Sequence, residues 1–148
     1  MKKYLSFALA AALSAAFCAT AFAAEDNRQV EVKTHIAPTY NVTIPANTTV
    51  ISKAENTSFG AITLTDAQLD PGKSVNVTLK SSGTLKNKND TSKMLAYTIR
   101  SGESAFTSAS YKKAGESTAL TIHIEKDDWA KAYAGDYADT VEFTISYK

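Results

Sequence analysis

Few side chains in this sequence could carry chemistry. His35 and His123 fall in the outward slots of runs that alternate apolar and polar residues, the place of a surface side chain. General-base catalysis needs a histidine within hydrogen-bond reach of its proton donor, and zinc needs convergent His, Cys or carboxylate ligands. Neither histidine has such a partner at motif spacing. Asp127, Asp128, Asp136 and Asp139 bring four carboxylates close together without the alternating oxygen ligands of a calcium loop. The first pair reads as helix-capping residues and the second as flanks of a turn. Trp129 and Tyr133 lie four apart, so on a helix they share a face. They are either a surface aromatic patch able to stack on a sugar ring or a pin holding a crossover to the sandwich edge. The pin is preferred for a lone tryptophan. The Asn-x-Ser/Thr triplets at Asn41, Asn47, Asn56, Asn76 and Asn89 are what a strand rich in Thr and Asn produces by chance. The expectation is a non-enzymatic protein with no cofactor and no metal.

Whatever these side chains do, strands must position them. Apolar residues recur at every second position: Val30, Val32 and Ile36 with Thr34 between, then Tyr40, Val42 and Ile44, then Ile62 and Leu64. The pattern continues through Val75, Val77 and Leu79, through Leu95, Tyr97 and Ile99, and through Leu120, Ile122 and Ile124. The longest run closes the chain at Val141, Phe143, Ile145 and Tyr147. Period two over this length marks strands buried on one face. Asp70-Pro71-Gly72 places Pro and Gly where a turn needs them, and polar Ser81 to Lys93 reads as a solvated loop. One helical segment interrupts the pattern, between a capping Asp127 and Gly135. Tyr137, just beyond it, is placed for a tyrosine corner, its hydroxyl bonding back to upstream backbone. The fold class predicted is all-β: an immunoglobulin-like antiparallel β-sandwich of seven to eight strands, with one short helix before the last strand.

The N-terminus carries a different signal. Lys2 and Lys3 precede an uncharged stretch ending in Ala21-Phe22-Ala23, the pattern of a cleaved secretory signal peptide over residues 1–23. The whole chain has 148 residues, net charge +1 and one cysteine, Cys18. Cleavage would leave residues 24–148 with 14 basic and 15 acidic side chains and no cysteine. That balance gives no footprint for nucleic acid, and an exported chain without disulfides must be stabilised by its core or by another chain. The expected division is a signal peptide, an N-terminal strand over 24–36, and a sandwich domain over 37–148. No membrane association is expected after cleavage.

The C-terminus carries the most information. Gly135 stands fourteenth from the end, Val141, Phe143, Ile145 and Tyr147 alternate after it, and Tyr147 is penultimate. This resembles the C-terminal signature of pilin subunits of the chaperone–usher route, and residues 134–141 are similar to the end of spore-coat-U-type domains. The resemblance implies a sandwich lacking its final strand, filled first by a periplasmic chaperone and then by the N-terminal extension of another copy or related subunit. It implies donor positions Val30, Val32, Thr34 and Ile36, and an acceptor strand over Gly135, Tyr137, Val141, Phe143, Ile145 and Tyr147. The implied function is a structural or adhesive subunit of a bacterial surface fibre. The alternative is a self-complete secreted immunoglobulin-like binding module, which residues 69–77 also resemble; in it, residues 29–36 would pair within their own chain.

Overall fold

Alternating apolar residues produce strands here because each buries one face and pairs its backbone sideways. The computed structural model describes residues 28–148, so the signal peptide expected over residues 1–23, and residues 24–27, lie outside the described part. Residues 36–148 form one compact unit. Its strands are β1 (Thr39–Thr43), β2 (Asn56–Gln68), β3 (Val75–Lys80), β4 (Thr84–Asn87), β5 (Met94–Ala96), β6 (Thr98–Ser101), β7 (Ser104–Ala105), β8 (Ser108–Tyr111), β9 (Ser117–His123), β10 (Tyr137–Ala138) and β11 (Glu142–Tyr147). One helix, α1 (Lys126–Lys131), precedes β10.

Every pairing is antiparallel. One five-stranded sheet runs β1-β2-β9-β6-β7, and two three-stranded sheets run β10-β4-β5 and β11-β3-β8. The core lies between the large sheet and the two small ones. Ile62, Leu64, Leu120, Ile122 and Ile99 come from the large sheet, Val75, Val77 and Tyr111 from one small sheet, and Leu95 from the other. The all-β, sandwich-like architecture of immunoglobulin type is therefore as the alternation predicts.

Among the described residues the strands number eleven in place of seven or eight, and the differences have physical causes. The run Leu95-Tyr97-Ile99 is two strands, because the chain passes from one sheet to another at Tyr97, whose amide bonds Gly83 O at 2.9 Å. The closing run is likewise divided. β10 pairs with β4, β11 pairs with β3, and residues 139–141 carry the chain between sheets. Ser81 to Lys93 is not merely a solvated loop, since it contains β4, and Asn87 within it is 3% exposed. A strand contributing one half-buried leucine, Leu85, and one buried amide leaves no apolar alternation to read.

Residues 28–38 carry no regular secondary structure, so the N-terminal strand expected from Val30, Val32, Thr34 and Ile36 is absent from this single chain. No ladder among the described residues includes them, and an extended segment without a sheet neighbour cannot satisfy its backbone as a strand does. Val30 and Val32 are 84% and 93% exposed. The ammonium of Lys33 meets the Glu31 carboxylate at 2.7 Å, which puts both charges on one side, as i and i+2 in extended backbone require.

The turn at Asp70-Pro71-Gly72 forms as expected. Lys73 N–H bonds Asp70 O at 3.0 Å, and Gly72 has φ +82°, the sign that only glycine adopts without strain. The helix starts differently. Its cap is Glu125, with no side-chain capping bond, and Asp127 and Asp128 occupy the first turn, where they complement the helix dipole.

Candidate functional site

The strand that closes the longest alternating run of the sequence is left incompletely buried. β3 buries Val75 and Val77 completely, whereas no residue of β11 is buried. Phe143 and Tyr147 are half-buried and Ile145 is 39% exposed. The cause is topological: β11 pairs with β3 along one edge, and its other edge has no strand beside it. Such an edge presents unpaired backbone donors and acceptors, a template for another strand.

A groove runs beside this strand. Its first depression, of about 400 Å³, is lined by Ile44, Val50, Phe59, Ile99, Val141 and Phe143 among others. Phe143 and Phe59 face each other at 6.2 Å between ring centroids. A second depression of about 560 Å³ shares Thr48, Val50, Leu85 and Asp139 with the first and continues past Gly135, Tyr137, Leu95 and Trp129. The wall opposite β11 is the irregular segment 44–52. Among the described residues the backbone of 46–50 joins no ladder, its one bond being to the Thr48 hydroxyl, which donates to Ala46 O at 3.2 Å.

Where the two depressions meet, Asp139 accepts hydrogen bonds through Oδ2 from the Tyr97 hydroxyl at 2.6 Å and the Ser82 hydroxyl at 2.7 Å. Tyr97 and Asp139 stand at the two places where the chain changes sheet, so this bond ties the crossovers together. Burial, reinforced by the neighbouring Asp139, pushes the Tyr97 phenol up to about 12. Burial also pushes the Asp139 carboxyl up, but the hydroxyl bonds from Tyr97 and Ser82, the Thr140 amide and the nearby Lys86 charge outweigh it and hold it below the usual value.

The remaining acceptor residues are held by specific contacts. Gly135 has φ +135°, and a Cβ there would lie 2.5 Å from Asn87 Nδ2. Tyr137 Oη donates to Tyr133 O and accepts from Tyr133 N–H, both at 3.1 Å, the bond back to upstream backbone that its position suggests. Tyr147 Oη donates to Asp70 Oδ2 and accepts from Asp70 N–H, both at 2.9 Å, and its ring stacks on Tyr40 at 5.9 Å. The structure thus brings Gly135, Tyr137, Val141 and Phe143 to one groove and gives Tyr147 to the clamp at its strand's end.

The other candidates separate. Trp129 packs against the core and its indole N–H donates to Ala54 O at 2.8 Å, while Tyr133 lies beyond the helix, 62% exposed, with Lys93 Nζ 4.6 Å from its ring centroid. The two rings do not form a shared aromatic patch; Trp129 is a pin. His123 is not a bare surface residue, because its ring nitrogens meet Asn56 Oδ1 and Glu125 Oε1, each at 2.9 Å. Among the described residues no three His, Cys, Asp or Glu side chains gather as a metal site, and no helix is long and apolar enough to cross a membrane. Sequence reasoning missed Tyr97, Leu85 and the 44–52 wall as parts of the groove. Pro45, which cannot donate to a ladder, is the one sequence signal there for where pairing stops.

No protein-family model matches the chain, and no curated protein does. Among solved structures, a chain from the work titled "Chaperone-tip adhesin complex is vital for synergistic activation of CFA/I fimbriae biogenesis" is similar over 72% of this chain, at 15% identity and a TM-score of 0.48. This chain spans 42% of that one. A likeness so distant carries no argument about function, which rests on the groove.

Proposed function

We propose that this chain is a non-enzymatic structural or adhesive subunit of a bacterial surface fibre, exported by its N-terminal leader. In this reading, residues 29–36 of one copy lie in the groove of the next. The observation that carries it is the unpaired edge of β11, with Phe143 half-buried beside a groove that Ile44, Val50, Phe59, Ile99 and Val141 also line. A strand added there gains main-chain hydrogen bonds along the edge and buries alternate side chains in the depressions, which is β-augmentation. The same chain carries a segment of matching pattern whose apolar side chains are exposed. A periplasmic chaperone would cover the groove before assembly, and related subunits could take the place of identical copies.

The test is a gel of material sheared from cells. Non-covalent strand exchange gives a ladder that collapses to one band on boiling, and Val32→Asp, which puts a charge on the donated face, abolishes the ladder. Purified protein that stays monomeric, folds reversibly alone and loses most of its stability when residues 25–36 are deleted would instead be a self-complete binding module.

A further inference from the structure

The groove's polarity is uneven, and so is that of the segment proposed to fill it. Among the described residues Asp139 is the one charged side chain lining the first depression, and it lies at the junction with the second. Its carboxylate already gathers two hydroxyl donors, so covering it with an alkyl side chain would remove it from water with nothing added in return. In the donor segment the inward positions read Val30, Val32, Thr34 and Ile36, apolar except at Thr34.

Resting on the fibre reading above, we infer that the donated strand of a second copy lies antiparallel to β11 with Thr34 opposite Asp139, its hydroxyl joining those of Tyr97 and Ser82 on the carboxylate. Two-residue steps along the groove then bring Val30 to Phe143 at the start of β11, Val32 to Val141 in the crossover, and Ile36 toward Tyr137 of β10. The direction follows from what needs covering. With Thr34 fixed at Asp139, a parallel strand would run Val32 and Val30 toward Tyr137 and Gly135 and leave Phe143 uncovered. The antiparallel strand puts both valines against Val141 and Phe143 and Ile36 against the second depression, near Leu95 and Trp129. It also agrees with every other pairing in the sandwich. Asp139 is thereby a specificity-determining residue, selecting register by the unfavourable burial of a carboxylate against any apolar neighbour.

Thr34 is exposed, so its substitution reports on assembly rather than on folding. Thr34→Val is expected to weaken assembly about ten- to a hundredfold, because a methyl then covers the Asp139 carboxylate in place of a third donor, while Thr34→Ser retains it. Stronger assembly by Thr34→Val would overturn the register, since an extra methyl in an apolar slot would be favourable. Disulfide trapping in a Cys18→Ser background separates the remaining outcomes. Val32→Cys with Val141→Cys is expected to link copies under oxidation, and Ile36→Cys with Val141→Cys, the pair apposed by a parallel strand, is not. The reverse result overturns the register and leaves strand donation standing. A disulfide closed within one chain, or none in either pair with the protein monomeric, overturns the fibre reading itself.

Discussion

A single carboxylate oxygen, Asp139 Oδ2, accepts from Tyr97 and Ser82 and so binds together two crossovers and the loop before β4. Replacing Tyr97 with Phe keeps the ring in the core and removes one donor, which should cost about 1–2 kcal/mol in urea unfolding. The same variant changes the pH dependence. The folded phenol titrates near 12 against 10.0 ordinarily, so its contribution is complete below pH 10 and is lost as pH rises from 10 toward 12. Wild type should lose stability across that interval, and Tyr97→Phe should lose less; equal losses would mean that Tyr97 is not the titrating group. Asp139 acts in the opposite range, since a depressed carboxyl contributes above the ordinary carboxylate value and loses its contribution as pH falls below it. Gly135 makes a second residue-scale case. Gly135→Ala meets both an unfavourable φ and the buried Asn87 amide, and should cost about 1–3 kcal/mol from the backbone alone. Adding Asn87→Ala would relieve the clash and leave that backbone cost, together with the lost bonds of Asn87 to the Asn89 and Asp90 amides.

At the scale of elements, β11 and β3 differ in what their burial depends on. Leu64→Ala, in the closed core, should cost about 2–5 kcal/mol whatever the state of assembly. Phe143→Ala should cost the isolated chain less, because its ring is only half-buried until a strand covers it. Hydrogen exchange gives the complementary measurement. Alternate amides of β11 face β3 and should be protected, while those between them exchange quickly in the single chain and slow on assembly. Uniform protection of β11 in the monomer would mean that its edge is already covered. Period two made most of these elements legible: β1, the inner part of β2, β3, β9 and β11 sit where alternation places them. β4 and β7 were not legible, since a two-residue strand or one with a single leucine has no period. Nor were the crossovers at Tyr97 and 139–141, because an alternating run reads the same whether it stays in one sheet or passes to another. The 44–52 wall was hidden for a related reason: it contributes to the groove by where it lies, not by any pattern.

For the whole molecule, the question left by the absence of cysteine after Cys18 is what replaces a covalent staple. The unit formed by residues 36–148 has a well-buried core at β2, β3 and β9 and an under-buried one along β11. A strand received from another copy would add stability by mass action, so the apparent Tm of purified protein should rise with concentration. A Tm independent of concentration over a hundredfold range would place all the stability within one chain. The pairing of β11 has one more consequence. Its six residue pairs with β3 lie along the strand, from Glu142–Lys80 to Tyr147–Val75. If neighbouring subunits are joined by a strand lying beside β11, a pull along the fibre passes through that strand's bonds to β11 into these pairs and loads both rows in shear, all at once. Peeling would break them one after another, so the fibre's mechanical strength would depend on the direction of the pull.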